Sequence, residues 1–206
     1  MQEIRTTPPR PRPDADATVV RATTIELPSV PRGRGLHRRF AGWDEHVGVG
    51  RALWVDVASQ RVWLIEDEDA AGCWPCSTAA AGLGEEEGSF RTPRGWHEVA
   101  EKIGGELPMG AILRGRRWTG EVWMPDASGG ADEDLVLTRI LRLAGREPGR
   151  NLGGNRDSFG RFIYLHGTND EGRLGQAASH GCIRVSNAAI VELYDLVDTG
   201  CPVLVD

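Results

Sequence analysis

The sequence predicts a mainly β domain, a β-sandwich of mixed strands with short helices. Three observations predict it: short apolar runs rich in β-branched and aromatic residues, Gly and Pro clusters between those runs, and one segment with helical spacing. A chain of 206 residues with 40% hydrophobic content is long enough for one domain with a sizeable core. We therefore expect one domain rather than a multidomain assembly.

The net charge argues against a nucleic-acid partner, and the hydropathy pattern argues against a membrane span. The net charge of -6 gives no general attraction to nucleic acid, so we expect no nucleic-acid partner. No apolar run approaches the roughly 20 residues that a bilayer span needs, so we expect no transmembrane segment. The composition predicts no particular oligomeric state.

The first 40 residues are rich in Pro and Arg and poor in aliphatic side chains. Such a segment buries too little apolar surface to order itself, so we predict a flexible extension over residues 1–40 and a folded domain over residues 45–206. Clustered Arg also allows contact with an anionic polymer or packing along the domain. Residues 1–13 lack the apolar core of a secretory signal, which leaves open a cytosolic location, another export route and a start upstream.

The strand pattern begins with a hairpin. Residues 52–57 and 61–65 alternate apolar and polar side chains on either side of a polar break. Periodicity alone allows a helix or a strand for residues 135–143, and we favour a strand. The other strand-like runs lie at residues 77–83, 96–99, 111–113, 162–166, 183–185 and 202–205.

One segment near the end of the chain predicts a helix. Apolar residues between Asn187 and Val197 recur at helical spacing, with an N-cap candidate at the start and Gly200 as a stop. We therefore predict short helices as a minor part of the fold.

Two groups of residues invite a functional interpretation that we do not favour. Cys73 and Cys76 have the thioredoxin spacing, but they precede a β-like run and no βαβ pattern surrounds them, so we expect a structural or incidental pair. Cys201 is expected to pack in a closing turn. Four Trp residues could line a groove for glycan or peptide, although we expect core packing for at least half of them. These are Trp54, Trp63, Trp118 and Trp123.

Two nearby segments carry the residues that predict chemistry. The first reads Tyr-Leu-His-Gly-Thr and contains His166, and the second reads Ser-His-Gly-Cys-Ile-Arg and contains His180 and Cys182. A cysteine is nucleophilic as the thiolate, so it needs a neighbouring base or cation at neutral pH, and either His could serve. Gly181 allows close backbone approach, so amides near Cys182 could face a developing oxyanion.

Two other interpretations of the same residues are possible. A buried Cys is often an inert small hydrophobic residue, and the two His residues could be structural. A zinc site formed by His166, His180 and Cys182 is chemically allowed, but no fourth ligand stands at a regular spacing. We therefore expect no metal and no cofactor.

The sequence resembles the L,D-transpeptidases with a YkuD-type catalytic domain. The family signature is His-Gly-Ser/Thr followed by Ser/Thr-His-Gly-Cys, an aliphatic residue and Arg or Asn, which stands here as HGT and SHGCIR. The likeness covers about residues 50–206. It includes the opening hairpin, the Thr92-Pro93-x-Gly95 turn, the stretch DSFGRFIYLHG, and the closing helix with Gly200-x-Pro202-Val203.

This resemblance implies a role for each residue of the motif. Cys182 would be the nucleophile, His166 the base that takes its proton, and the Gly167 carbonyl the group that orients the imidazole. His180 and Gly181 would shape the turn and support the oxyanion site. The residues expected to bind substrate are Arg184, through a substrate carboxylate, with Ser179, Thr168 and Arg161.

The resemblance also implies a reaction and its partners. The thiolate would attack the carbonyl of an L-centre in a peptidoglycan stem peptide, form a thioacyl-enzyme, and pass the acyl group to a diaminopimelate amine of a second stem. β-Lactams, carbapenems above all, would be inhibitors, and the cell envelope or periplasm the location. A hydrolase such as an L,D-carboxypeptidase, and a non-catalytic wall-binding module, are the alternatives. The donor stem stays open between third-position and first-position L-centres.

Overall fold

The computed structural model describes residues 40–206 apart from 49, 68 and 125–132. The extension predicted over residues 1–40 lies outside the described residues except for Phe40. Within the described part, the helices are α1 (Trp43–His46) and α2 (Asn187–Leu196). The strands are β1 (Arg51–Asp56), β2 (Arg61–Glu66), β3 (Asp69–Ser77), β4 (Gly95–Ile103), β5 (Ala111–Arg114), β6 (Arg117–Val122), β7 (Val136–Gly145), β8 (Tyr164–Gly167), β9 (Ile183–Val185) and β10 (Pro202–Val205).

The strands form a ring that closes on itself. Their order is β4-β10-β1-β2-β3-β9-β8-β7, and β7 pairs back with β4, while the β5–β6 hairpin pairs with the first residues of β7. The β1–β10 and β8–β9 pairs are parallel, and the other pairs are antiparallel. The prediction of a mainly β fold with mixed strands is confirmed. The two layers of the predicted sandwich are joined by strand pairing at both edges, which closes the ring.

The opening hairpin shows how the ring is packed on both faces. Leu53 and Leu64 are paired across β1 and β2 and lie in the interior core. Trp54 and Trp63, the next pair, lie on the outer face in an aromatic cluster beneath Phe40 and α1. Two of the four Trp residues considered for a groove are therefore core residues, as expected for at least half of them.

The interior core includes α2. Ile190 and Leu193 on this helix are fully buried against side chains of the ring, and the Ser186 hydroxyl caps the helix by accepting a hydrogen bond from the Ala189 amide at 3.1 Å. The helix predicted between Asn187 and Val197 is confirmed. In the described part of the chain, no helix is long and apolar enough to cross a membrane.

The strand predicted over residues 77–83 is wrong in its bounds. The strand there is β3, which ends at Ser77, and residues 78–83 make turns and isolated bridges. Cys73 and Cys76 therefore lie within one strand, three residues apart, and point to opposite faces. Cys73 packs in the outer aromatic cluster and Cys76 in the interior core. Their side chains cannot pair with each other, which supports the structural interpretation.

The long run near residue 140 is a strand, as favoured from the sequence. It forms β7, which lies between β8 on one edge and β4 with β5 on the other. Neither β6, whose residues are all exposed, nor the four-residue α1 is among the elements predicted from the sequence. Both lack the periodic apolar pattern on which the prediction depends.

The packing of the ring predicts the effect of shortening one core residue. Leu141 on β7 is fully buried in the interior core. Leu141→Ala should lower the free energy of unfolding by about 2–5 kcal/mol, because it removes buried methyl groups and leaves a cavity. Urea unfolding followed by tryptophan fluorescence measures this change. Leu152→Ala, at a residue 39% exposed, is the matched control and should cost much less.

Candidate active site

The site lies where β8 and β9 run side by side. Their parallel pairing sets Leu165 beside Ile183 and His166 beside Arg184. Side chains alternate between faces of a strand, so the Leu165 and Ile183 pair fills the interior while the His166 and Arg184 pair faces the opposite side. Cys182 directly precedes β9, two residues before Arg184. The sequence motifs that carry the two His residues and the Cys are thus brought together.

Cys182 lies half-buried against Leu113, Ile140 and Tyr164. Its Sγ donates a hydrogen bond to the Phe162 carbonyl at 3.4 Å. Burial raises the pKa of the Cys182 thiol to about 11, although the backbone amide of Tyr164 favours the thiolate. The sequence led us to expect a neighbouring base or cation that lowers this pKa. In the free site the effect of burial outweighs the contacts that favour the thiolate, and activation of Cys182 by a neighbouring His stays a prediction.

His166 is held in one orientation by the next residue in the chain. The side chain is 3% exposed, and its Nδ1 lies 2.8 Å from the Gly167 carbonyl oxygen. A carbonyl only accepts, so Nδ1 carries the proton and Nε2 is left as a proton acceptor. Burial lowers the pKa of His166, so the imidazole is neutral at pH 7. A Cβ at Gly167 would lie 2.5 Å from Asn187 Oδ1, which explains why a glycine stands there.

His180 has a different environment. Its side chain is 69% exposed, and its Nδ1 lies 2.9 Å from Oδ2 of Asp134. The ring of Phe90 approaches the imidazole edge to face, with 6.4 Å between the ring centroids. The two His residues of the site therefore differ in exposure and in the group that orients them.

Asp134 is a site residue that the sequence reasoning missed. One carboxylate oxygen, Oδ2, accepts hydrogen bonds from both His180 and the Nη2 of Arg184. Burial pushes the pKa of Asp134 upward, but the His180 hydrogen bond and the Arg184 charge hold it below its usual range. Its position just before β7 could have indicated it, because β7 pairs directly with β8.

Arg184 is enclosed by carboxylates of the protein itself. The side chain is 3% exposed, and besides Asp134 its Nη1 lies 3.4 Å from Asp170 Oδ2. The sequence led us to expect that it binds a substrate carboxylate. In the free site its guanidinium pairs with these two acidic side chains, as a buried charge requires, and the substrate contact stays a prediction.

The turn before Cys182 is fixed by hydroxyl groups. Ser179 Oγ donates to the Cys182 carbonyl at 2.5 Å and accepts from the Gly181 amide at 3.2 Å. Thr92 Oγ1 donates to the Gly181 carbonyl at 3.0 Å. Gly181 has φ +130°, a conformation that other residues rarely adopt. The Gly181 amide is thus bonded within the turn rather than free for an oxyanion.

The two remaining residues expected to bind substrate also contact the protein. Arg161 donates from Nη1 to the Glu85 carbonyl at 2.6 Å and from Nη2 to the Arg91 carbonyl at 2.7 Å, which ties residues 84–91 to the site. Thr168 is fully buried, and its Oγ1 accepts from the Asp170 amide at 3.1 Å. Among the residues that the structure describes, no three His, Cys, Asp or Glu side chains are placed to hold a metal ion.

A family model for the L,D-transpeptidase catalytic domain, YkuD, matches residues 50–205. The chain belongs to the YkuD family. The match contains the strands of the ring and each residue of the site described above. The expected family membership and the YkuD-like fold are thereby confirmed.

Similarity to individual YkuD-family proteins is lower and covers part of each. The chain is 26% identical over 152 residues to the probable L,D-transpeptidase ErfK/SrfK of Salmonella typhimurium, covering 74% of this chain and 43% of that protein. It is 37% identical over 62 residues to the putative L,D-transpeptidase YkuD of Bacillus subtilis, covering 30% and 38%. The chain thus spans about two-fifths of the length of these relatives.

A solved L,D-transpeptidase can be superimposed on most of the chain. The structure of L,D-transpeptidase 3 from Mycobacterium tuberculosis, in complex with a faropenem-derived adduct, is 19% identical with a TM-score of 0.47. The superposition covers 77% of this chain and 61% of that one.

The protonation state of Cys182 in this YkuD-family site is testable by alkylation. Because its folded pKa is about 11, above the ordinary value of about 8.5, the thiolate fraction and the alkylation rate should still rise between pH 9 and 10. In urea, where the thiol pKa is about 8.5, the same rate should level off above about pH 9.5. Short iodoacetamide pulses with peptide mapping give the rate at Cys182 alone. A folded-state midpoint below 8.5 would indicate a preformed thiolate–imidazolium pair and contradict this prediction.

Proposed function

We propose that this chain is a peptidoglycan L,D-transpeptidase, a cysteine acyltransferase. One observation carries the proposal: the half-buried thiol of Cys182 directly precedes β9, and the buried imidazole of His166, with Nδ1 held by the Gly167 carbonyl, lies on the paired strand β8. This is the pairing of nucleophile, base and orienting group that covalent acyl transfer needs. Membership of the YkuD family supplies the class of reaction.

The acylation step follows from the two neutral side chains. Cys182 gives its proton to Nε2 of His166 as the sulfur attacks the carbonyl of the L-centre, so the thiolate forms only during attack. The Tyr164 amide stabilises the sulfur as negative charge develops. His166 then gives the proton to the departing D-amino acid amine, and a thioester remains on Cys182. The Gly167 carbonyl stabilises the imidazolium through Nδ1–H.

The other motif residues have a structural role in the proposed mechanism. Arg184, Ser179 and Thr168 are buried, and the two Nη groups of Arg184 and both hydroxyls are bonded to the protein, so we propose that they hold the site rather than bind substrate directly. Arg161 positions the loop of residues 84–91 beside the turn at Gly181. The peptide substrate is then recognised by exposed groups around Cys182.

The substrate class and the location follow from this activity. We propose peptidoglycan stem peptides as donor and acceptor, and the cell envelope as the place where the chain meets them. A carboxypeptidase activity on the same site uses water in place of the acceptor amine, and product analysis separates the two.

Removal of the nucleophile tests the proposal. Cys182→Ala should abolish both crosslinked and hydrolysed products from purified muropeptides, because no other group can form the thioester. Mass spectrometry of the products measures this, and the melting temperature should stay close to that of the wild type. Cys201→Ala, at the other half-buried cysteine, is the matched control and should keep activity. Products retained by Cys182→Ala would refute the assignment, and absence of products from the wild type would favour a wall-binding module.

Reaction with a carbapenem tests the same thiol independently. A strained β-lactam carbonyl is an acyl donor that needs no stem peptide, so imipenem should leave a single adduct on Cys182. Cys73 and Cys76 should stay unmodified because both are buried. Intact-mass measurement followed by peptide mapping locates the adduct. An adduct on another cysteine, or none, would count against the proposed nucleophile.

A further inference from the structure

We propose that His180 and Asp134 form a second acid–base pair, in which His180 accepts the proton of the acceptor amine during acyl transfer. Asp134 acts as a positioning residue that orients the imidazole. This inference rests on the proposed function, because it concerns the second half of that reaction. Neither the family signature nor the reasoning from sequence assigns a role to Asp134.

The two imidazoles of the site differ in exposure, which suits them to different steps of the reaction. His166 is 3% exposed, whereas the side chain of His180 is 69% exposed and lies two residues along the chain from the nucleophile. The acceptor amine reaches the thioester from solvent after the first product has left. A base for this amine has to be accessible from solvent, and of the two imidazoles His180 is the exposed one.

Asp134 fixes the tautomer that such a base needs. The carboxylate oxygen only accepts, so the 2.9 Å contact places the proton of neutral His180 on Nδ1 and leaves Nε2 free. Arg184, which is itself buried, donates to the same carboxylate oxygen. Arg184 therefore fixes the Asp134 carboxylate, and the carboxylate in turn fixes His180. A carboxylate behind an imidazole both orients the ring and stabilises the imidazolium that forms.

The same tautomer argues against oxyanion support by neutral His180. An oxyanion needs a donor, and the free Nε2 of this tautomer has a lone pair and no proton. The Phe90 ring, edge-on at 6.4 Å, limits the directions that the imidazole can take. The geometry therefore favours proton acceptance at Nε2.

The step balances without any further reactant. The neutral amine nitrogen attacks the thioester carbon and forms the C–N bond, and its proton passes to Nε2 of His180. The tetrahedral intermediate collapses, the C–S bond breaks, and the sulfur leaves as the thiolate. His180 returns the proton to the sulfur, so Cys182 and both His residues end in their starting states.

A two-step measurement separates this role from acylation. Tetrapeptide-stem muropeptide is mixed with enzyme, and rapid quenching with intact-mass measurement gives the acylation rate of Cys182. A muropeptide with a free diaminopimelate amine is then added, and loss of the acyl-enzyme gives the transfer rate. The variants are His180→Ala and Asp134→Asn, with Glu133→Gln as the matched control, since Glu133 is the adjacent acid and pairs with Arg114 at the surface.

We expect His180→Ala to acylate at close to the wild-type rate and to transfer about 100-fold more slowly. Asp134→Asn, which also weakens the ion pair with Arg184, should slow transfer more than acylation. Added imidazole should restore transfer in His180→Ala, because the side chain that it replaces is exposed; a purely structural role would not be rescued. His180→Ala leaves both carboxylate partners of the buried Arg184 in place, so this variant should fold. Glu133→Gln should match the wild type in both steps.

Three results would overturn the inference. Transfer at the wild-type rate in His180→Ala would refute it and leave the proposed function intact. An equal loss of acylation and transfer in that variant, with no rescue by imidazole, would assign His180 to the turn or to the first step. A wild-type chain that forms no acyl-enzyme would refute the proposed function itself, and this inference with it.

Discussion

The parallel pairing of β8 with β9 is the constraint on which the site depends. The two strands have only four and three residues, and all of these are buried. Because paired residues point to the same face, His166 and Arg184 lie side by side while Leu165 and Ile183 enter the core. A slip of one residue between the strands would turn the imidazole inward and an aliphatic side chain outward. Since β3 and β7 pair with the outer edges of the two strands, the closed ring prevents such a slip.

Local patterns in the sequence were sufficient to predict much of the fold and to single out candidate residues for the site. The opening hairpin, the strand near residue 140 and the helix from Asn187 each follow from the periodicity of their own residues. The HGT and SHGCIR motifs identify Cys182 and His166 as candidate catalytic residues without knowledge of the fold. The contact between His166 and the Gly167 carbonyl is also local, because the two residues are adjacent.

What the sequence did not predict depends on contacts between distant segments. Asp134 and His180 stand 46 residues apart, and only the order of β7, β8 and β9 brings them together. The burial of Arg184 depends on the same order, so its pairing with Asp134 and Asp170 could not be predicted from its position in the motif alone. The bounds of β3 were missed because Gly72 and Pro75 interrupt its apolar pattern, whereas pairing with β2 keeps the strand extended.

The buried Arg184 links the architecture of the ring to the chemistry at its surface. A guanidinium this far from water has to be paired, since removal of one partner of a buried ion pair costs about 3–5 kcal/mol. The fold therefore places Asp134 and Asp170 beside it, and one oxygen of Asp134 is left able to bind His180 as well. The exposed imidazole thus gains a fixed orientation from an ion pair that the fold already requires. His166 gains its orientation from the backbone of β8 instead, so the two imidazoles are positioned independently of each other.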